Sequence, residues 1–423
     1  MDAKNTGLTL VEMLTAAWIA LAVALRSAAE YLLRGPRLPA WDLRFQLQRD
    51  IGHALIKSAL PPGADDDTAL PGVDVFALGA AMQRKALPAR PLAASQGIHA
   101  AAAIATRHVP LDAARLLAHA GVARSGLQEL IDSDGRAPGA GRQLGGELVV
   151  ARRTAELLEP HAHAGHASLL TCAPLYADEP LVLFLHGGGF VVGSAAAYRH
   201  VVCRLSDACG ARVLSVDYRL APQHAFPAQL HDVLVAYSHV LAQGFAARRL
   251  TVVGDSAGAH LATTLALLLR RSAAMPLPAS LVLLSPISNL VETKPSVAAN
   301  APYDFIVLVP LESPVAYARM LYAPAKPLTP AMREEMRHPL VSPAFGDFAG
   351  FPPVLVQAGA REILVDDIEQ LVAAIRAANP ARPDAVVYEP YKDMCHVFQN
   401  MLDRPESAAA FASIGRFVSQ NLA

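Results

Sequence analysis

Cysteine, charge and aromatic residues are all scarce in this sequence, and each shortage closes off a class of protein. Four cysteines among 423 residues (Cys172, Cys203, Cys209 and Cys395) form no C-x-x-C pair and no disulfide framework. Free thiols are the simplest reading, and a single Cys203–Cys209 bridge is the one pairing the spacing leaves open. Charged residues make up only 17% of the chain and the formal net charge is −1, so nothing points to nucleic acid as a partner. Aromatics, at 6%, form no stripe interleaved with basic residues. No internal repeat is visible. What the chain holds instead is apolar. Hydrophobic residues reach 53%, which excludes disorder and suffices for one large elaborated domain or for two.

One hydrophobic run is long: "LTLVEMLTAAWIALAVAL", residues 8–25, mostly apolar and broken by Glu12. Its length lies at the lower limit for crossing a bilayer. Three readings are open: a membrane anchor or membrane-lying helix, an apolar helix packed on the protein, and a signal cleaved after Ala22-Val23-Ala24. The n-region carries one Lys and one Asp, which argues against the signal. If the run spans, Arg26, Arg34 and Arg37 behind it against Lys4 in front put the bulk of the chain on the cytosolic side. The expected location is cytoplasmic or membrane-associated, as with an endoplasmic-reticulum-type anchor, with secretion the weaker alternative.

The chain divides into three segments. Residues 1–34 hold the apolar helix. Residues 35–145 read as a helical amino-terminal extension or cap, in which "WDLRFQLQRDIGHALIKSAL" and "LDAARLLAHAGVA" have helical apolar spacing. No residue there looks chemically poised. From residue 146 to 423 short apolar strands alternate with helices. "PLVLFLH", "ARVLSVDY", "RLTVVGDS", "LVLLSP", "PPVLVQAGA" and "DAVVYEPY" are strand candidates. "AAYRHVVCRLSDAC", "QLHDVLVAYSHVLAQ", "AHLATTLALLLRRS", "DDIEQLVAAIRAA" and a final helix near "ESAAAFASIGRFVSQNL" lie between or after them. This order predicts an α/β protein with a mostly parallel sheet and helices on both faces. A less regular, Pro-containing stretch at about 289–338 reads as an insertion covering the carboxyl ends of the strands, where ligands bind in open α/β sheets.

The chemistry concentrates in that last segment. "LTVVGDSAGA" places Gly254-Asp255-Ser256-Ala257-Gly258 between an apolar strand and an alanine-rich helix. A G-x-S-x-G there is a sharp turn that holds a nucleophilic Ser above the sheet edge. A Ser hydroxyl needs a base, and the base an orienting acid; on this architecture they follow in the order Ser, acid, His. After Ser256 the histidines are His260, His338 and His396. His260 is too close along the helix and His338 precedes every acid candidate, which leaves His396. The acid should follow "PPVLVQAG". Glu362 fits best, and Asp366, beside Asp367 in the first turn of the next helix, is the competitor. "LFLHGGGF" then explains three consecutive glycines. Backbone N–H groups of Gly187 and Gly188, with that of Ala257, would hold the oxyanion formed on attack, each donor contributing about 3–4 kcal/mol. His186 beside them shapes the loop. "HAHAGH", residues 161–166, lacks acidic or Cys partners, so no metal and no cofactor is expected. Cys395 reads as packing.

"HGGGF", "GDSAG", "DYRLAPQHAFPA", "HPLVSP", "GAREILVDD" and "HVFQ", in that order over roughly 145–420, resemble the hormone-sensitive-lipase-like branch of the α/β-hydrolase family. The resemblance implies an eight-stranded, mostly parallel sheet with helices on both faces and a helical cap. It also implies Ser256 as nucleophile, His396 as base and Gly187, Gly188 and Ala257 as the oxyanion hole. Glu362 stands where the family usually has Asp, Gln223 where an acidic residue is common, and Ala259 where glycine is common. The function expected is a serine esterase or lipase-like hydrolase. It would act on a small hydrophobic carboxylic ester, with a short- or medium-chain acyl or an acetyl group, through an acyl-enzyme. Phe305, Ile306, Leu308 and Leu311 supply an apolar cap. An acyltransferase using the same acyl-enzyme, or a small-molecule receptor on the same fold, are the alternatives.

Overall fold

Alternation along a single strand shows how the apolar runs become a sheet. In β3 (Leu181–Leu185) Leu181, Leu183 and Leu185 enter one core cluster, while Val182 and Phe184 enter another on the opposite face. A strand covered on both sides needs this unbroken apolar composition. The computed structural model describes residues 10–58, 96–105, 143–162, 165–273, 275–306, 321–322, 329–401 and 404–422. The expected helix "LDAARLLAHAGVA" and the cap residues Leu308 and Leu311 lie outside them.

Eight strands form one sheet: β1 (Gly97–Ala105), β2 (Gln143–Ala151), β3, β4 (Arg212–Asp217), β5 (Leu250–Asp255), β6 (Ser280–Leu284), β7 (Val354–Gly359) and β8 (Val386–Tyr391). Their spatial order is β1-β2-β4-β3-β5-β6-β7-β8. Pairing is antiparallel from β1 to β2 and from β2 to β4, and parallel across the rest. The described helices of eleven or more residues are α1 (Leu10–Arg34), α2 (Leu43–Ser58), α3 (Arg199–Cys209), α4 (Ala228–Ala242), α5 (Ala257–Ser272), α6 (Val365–Ala378) and α7 (Pro405–Asn421). Leu230, Leu265 and Ile368 from α4, α5 and α6 share one cluster, and Val202 and Ile414 from α3 and α7 share the other. The sheet is therefore sandwiched, as its composition predicted.

One strand was not anticipated. β1 falls in the segment read as helical, and its sequence "GIHAAAAIA" favours helix by alanine content. It nonetheless pairs along its whole length with β2, from Gly97↔Ala151 to Ala105↔Gln143. Edge pairing outweighs local propensity here.

The amino-terminal helices are fastened unequally. α2 is fixed by a polar knot: Ser27 Oγ donates to Asp50 Oδ2 at 2.7 Å, and Arg37 Nη1 and Arg49 Nη1 both donate to Asp50 Oδ1 at 2.7 Å. Trp41 and Phe45 are buried with Met394, Cys395 and Phe398. α1 leaves Leu14, Trp18, Leu21, Leu25 and Leu32 exposed. All four cysteines are free thiols, so the Cys203–Cys209 bridge is absent.

Candidate active site

β5 runs straight into α5, and the residue at the join is Ser256, with φ 53° and ψ −113°. That conformation costs a non-glycine residue about 1–3 kcal/mol and is retained only where the surroundings fix it. They do: the Ser256 N–H donates to Leu284 O at 2.8 Å, and its carbonyl accepts from His260 N at 3.0 Å and Ile287 N at 3.3 Å. A Cβ at Gly258 would run into the Leu185 carbonyl, and one at Gly254 into the Gly258 backbone. Small residues on either side of Ser256 are thus required by close packing of β3, β5 and α5.

The glycine loop after β3 is held from below. His186 stacks on Tyr218 (centroids 4.3 Å apart, 15° between planes), its Nδ1–H reaches Gly187 O at 2.7 Å, and Tyr218 Oη donates to His186 O at 2.6 Å. Burial pushes the imidazole down from its ordinary value, so it stays neutral. This agrees with a shaping role. The Gly187 N–H, however, donates to Asp255 Oδ1 at 2.8 Å, and Tyr198 Oη donates to Oδ2 at 3.0 Å. Gly187 therefore has no N–H to offer an oxyanion, and that assignment is corrected. Gly188 (φ 106°) and Gly189 (φ 63°) follow in the left-handed region. Among the described residues nothing accepts from their N–H groups, and Gly188 O takes Val191 N and Val192 N at 3.1 and 3.0 Å. The buried Asp255 carboxyl is itself pushed up to about 7 by desolvation. It is a structural acceptor that the G-D-S-A-G pattern alone did not reveal.

Glu362 and His396 meet. His396 Nδ1 lies 2.7 Å from Glu362 Oε2, and both side chains are almost wholly buried. Burial raises the carboxyl and lowers the imidazole, so between the two values the pair carries a single proton. The loop bearing His396 crosses the end of β7 because Gly359 has no Cβ to strike the Met394 and Cys395 carbonyls. Asp366 is elsewhere: its Oδ2 accepts Ser296 N at 2.8 Å, at the start of a short helix, Pro295–Asn300, in the insertion. It does not meet His396.

Three further residues complete the arrangement. Ser285, immediately after β6, accepts Val397 N at 3.0 Å and its hydroxyl lowers the raised Glu362 carboxyl in part. Since Ser256 N bonds to Leu284 O, Ser256 and the histidine loop are pinned to consecutive residues. Asp304, fully buried in the insertion, accepts His396 N at 3.1 Å and Ile363 N at 2.8 Å. Phe305 places its ring 6.1 Å from that of His396. A Ser beyond a strand end and a lone carboxylate inside "APYDFIV" were the available signals for the first two.

The remaining candidates are structural. His260 is buried against Phe190 and pushed down to about 4. Cys395 is buried with Trp41 and Met394, and its thiol is pushed up by desolvation. Of the "HAHAGH" run, His161 packs on Tyr176, and no group of three metal-ligating side chains occurs among the described residues.

The chain is similar to known proteins. A family described as alpha/beta hydrolase fold matches residues 182–400. An acetyl-hydrolase of Streptomyces hygroscopicus is 37% identical over 55% of this chain and 73% of its own length. An esterase of Acinetobacter venetianus is 32% identical over 56% of this chain and 74% of its own. The crystal structure of an esterase from the bacterial hormone-sensitive lipase family is similar at a TM-score of 0.60 with 27% identity, covering 89% of this chain and 98% of that one. With its strand order, its elbow and these relatives, the chain belongs to the α/β-hydrolase fold family, in its hormone-sensitive-lipase-like branch.

Proposed function

We propose that this carboxylic-ester hydrolase works through Ser256 as nucleophile, His396 as general base and Glu362 as the acid that orients it. The Glu362–His396 bond at 2.7 Å, beside a Ser held at the head of α5, is the observation that carries this reading. Ser256 Oγ attacks the ester carbonyl while His396 Nε2 takes its proton. Glu362 holds the imidazole by Nδ1–H and stabilises the imidazolium. The N–H groups of Gly188, Gly189 and Ala257 receive the oxyanion, Ala257 being the first residue of α5 and so without a helical acceptor. The protonated imidazole then donates to the leaving alcohol, and water deacylates the enzyme by the same base.

The substrate proposed is a small hydrophobic ester with an acetyl or a short- to medium-chain acyl group. Its support is the Phe305 ring beside His396 and the names of relatives that act on acetyl groups and ethyl acetate. Neither acyl transfer nor a receptor role is favoured, because the relatives compared are hydrolases and the complete acid–base pair has no use in a receptor. Association with a membrane through residues 8–25 is part of the proposal, supported by the exposed apolar side chains of α1.

The test is hydrolysis of p-nitrophenyl esters from C2 to C12 by the wild type and by Ser256→Ala. Activity should vanish in the variant, with the chain-length optimum sizing the acyl site. Retained turnover would remove Ser256 from the mechanism.

A further inference from the structure

Asp304 stands apart from every other carboxylate near the site. It touches neither Ser256 nor the His396 ring through its side chain; its oxygens are taken by backbone. Oδ1 accepts the N–H of His396 at 3.1 Å and of Phe305 at 2.8 Å, and Oδ2 accepts the N–H of Ile363 at 2.8 Å. His396 is the proposed base and Ile363 directly follows the proposed acid. One rigid carboxylate therefore joins two loops that otherwise leave different strands, β7 and β8. Its own position is set from the amino-terminal extension: Arg49 Nε on α2 donates to Asp304 O at 3.0 Å and Arg49 Nη2 to Ala301 O at 3.2 Å. Trp41 Nε1 donates to Asp393 O at 2.6 Å, three residues before His396. A buried carboxylate is costly unless its lone pairs are filled, and here they are filled by the two amides that fix where the catalytic side chains start.

We propose that Asp304 is a positioning residue for the hydrolysis, tying the backbone of His396 to the backbone beside Glu362 so that the two side chains meet in catalytic register, with Arg49 holding it from α2. The proposal rests on the Ser256–His396–Glu362 reading above. Displacing either loop by an ångström disturbs the base without touching the ester, and such displacements cost on the order of 10²-fold in turnover. Losing Asp304 should thus lower kcat and leave KM nearly unchanged. A second effect is electrostatic. Among the described residues the charged or titratable groups around the His396 imidazole are Glu362, Asp304 and the Cys395 thiol, with Arg49 and His53 beyond Asp304 on its carbonyl. Asp304 favours the protonated imidazole, so its removal should move the acid limb of activity to lower pH.

The experiment compares Asp304→Asn with wild type and His396→Ala, using a p-nitrophenyl ester and counting active sites by a fluorophosphonate that labels the nucleophile. Per labelled site, D304N is expected to lose about 10- to 100-fold in kcat, with KM within about two-fold and the acid limb of kcat/KM moved down in pH. A purely structural role would reduce the number of labelled sites and leave turnover per site and the pH limb as in wild type; that result overturns the proposal. Should D304N fail to fold, Arg49→Gln carries the test, expected to lower turnover per site several-fold, and wild-type turnover per site would overturn it. His396→Ala separates the two readings. If it stays active the triad assignment fails, whereas an inactive H396A beside an unaffected D304N sinks only the positioning role.

Discussion

Replacing Glu362 by Gln changes one atom in a fully buried contact and tests what that contact does. The amide is isosteric, so the 2.7 Å approach to His396 Nδ1 is kept and no cavity forms. What is lost is the negative charge that faces the imidazolium, together with control of the tautomer, since the amide NH₂ can present a donor where an acceptor is needed. For an orienting acid in this position the loss is about 10⁴-fold in kcat, or roughly 5 kcal/mol of transition-state stabilisation. Glu362→Asp supplies a geometric control. Shortening the side chain by one carbon–carbon bond, about 1.5 Å, stretches the contact towards 4 Å, beyond hydrogen-bond range unless the loop moves. It should therefore fall between wild type and E362Q, although Asp is the usual family residue. Asp366→Asn removes a carboxylate that caps the short helix Pro295–Asn300, and should cost about 1 kcal/mol of stability with little change in turnover. The assay is kcat on p-nitrophenyl acetate, normalised to labelled sites, with thermal unfolding in parallel. An E362Q enzyme within about ten-fold of wild type, or a D366N enzyme that is dead but folded, would refute the assignment.

The glycine loop, the pH profile and α1 each give a separate test. Gly188→Ala should lower kcat by about 10²–10³-fold, because its Cβ would strike Val192 O at a φ of 106° and displace the donors. Gly210→Ala, also left-handed but with open space around it, should cost stability only, about 1 kcal/mol, as unfolding curves will show. Because burial raises Glu362 and lowers His396, the singly protonated pair cannot act as a base. kcat/KM should accordingly rise as pH increases through the pair's upper value, with its acid limb above that of free imidazole; a flat profile from pH 5 to 8 would contradict this. Asp255, raised to about 7, favours folding below its unfolded value near 3.8 and loses that contribution as pH rises. The stability of wild type relative to D255N should then fall by up to about 1.4 kcal/mol per pH unit between those values, measured by urea unfolding. Deleting residues 1–34 should move the protein from the membrane pellet to the supernatant, and an unchanged distribution would dispose of the proposed anchor.

The parts of this site legible in the sequence are those whose meaning lies in adjacent residues. Gly254 to Gly258 between an apolar strand and an alanine-rich helix can hardly be anything but an elbow, and order along the chain selected His396 and favoured Glu362. What could not be read was which partner a backbone group meets across the fold. Gly187 and Gly189 are equivalent as letters. Only the approach of the Asp255 side chain, 68 residues later, engages one of them and leaves the other. Asp304 likewise could not be read locally, since the partners that tie it to the site are the N–H groups of residues 59 and 92 positions further on. The alanine-rich β1 was misread for the complementary reason: its local signal was strong and non-local pairing overrode it.

Desolvation gives these contacts a common purpose. The site holds three nearly inaccessible carboxyls, Asp255, Asp304 and Glu362, each pushed up by burial. Two of them are filled by backbone N–H groups and a Tyr hydroxyl, which fixes loops but leaves no open acceptor towards the reacting atoms. Glu362 alone faces an imidazole. In the deprotonated, active form of the pair its negative charge is poorly solvated and costly. In the mechanism proposed, when Ser256 gives up its proton the imidazolium formed beside Glu362 relieves that cost, and the oxyanion appears at the same moment before the Gly188 and Gly189 amides. Both charges created in the transition state thus find preformed partners, whereas the ground state keeps one charge unmatched. Burial that destabilises the carboxylate at rest is for this reason a source of driving force for proton transfer. It follows that a substitution that removes the Ser285 hydroxyl and admits water beside Glu362, such as Ser285→Gly, should lower kcat on p-nitrophenyl acetate while leaving KM unchanged.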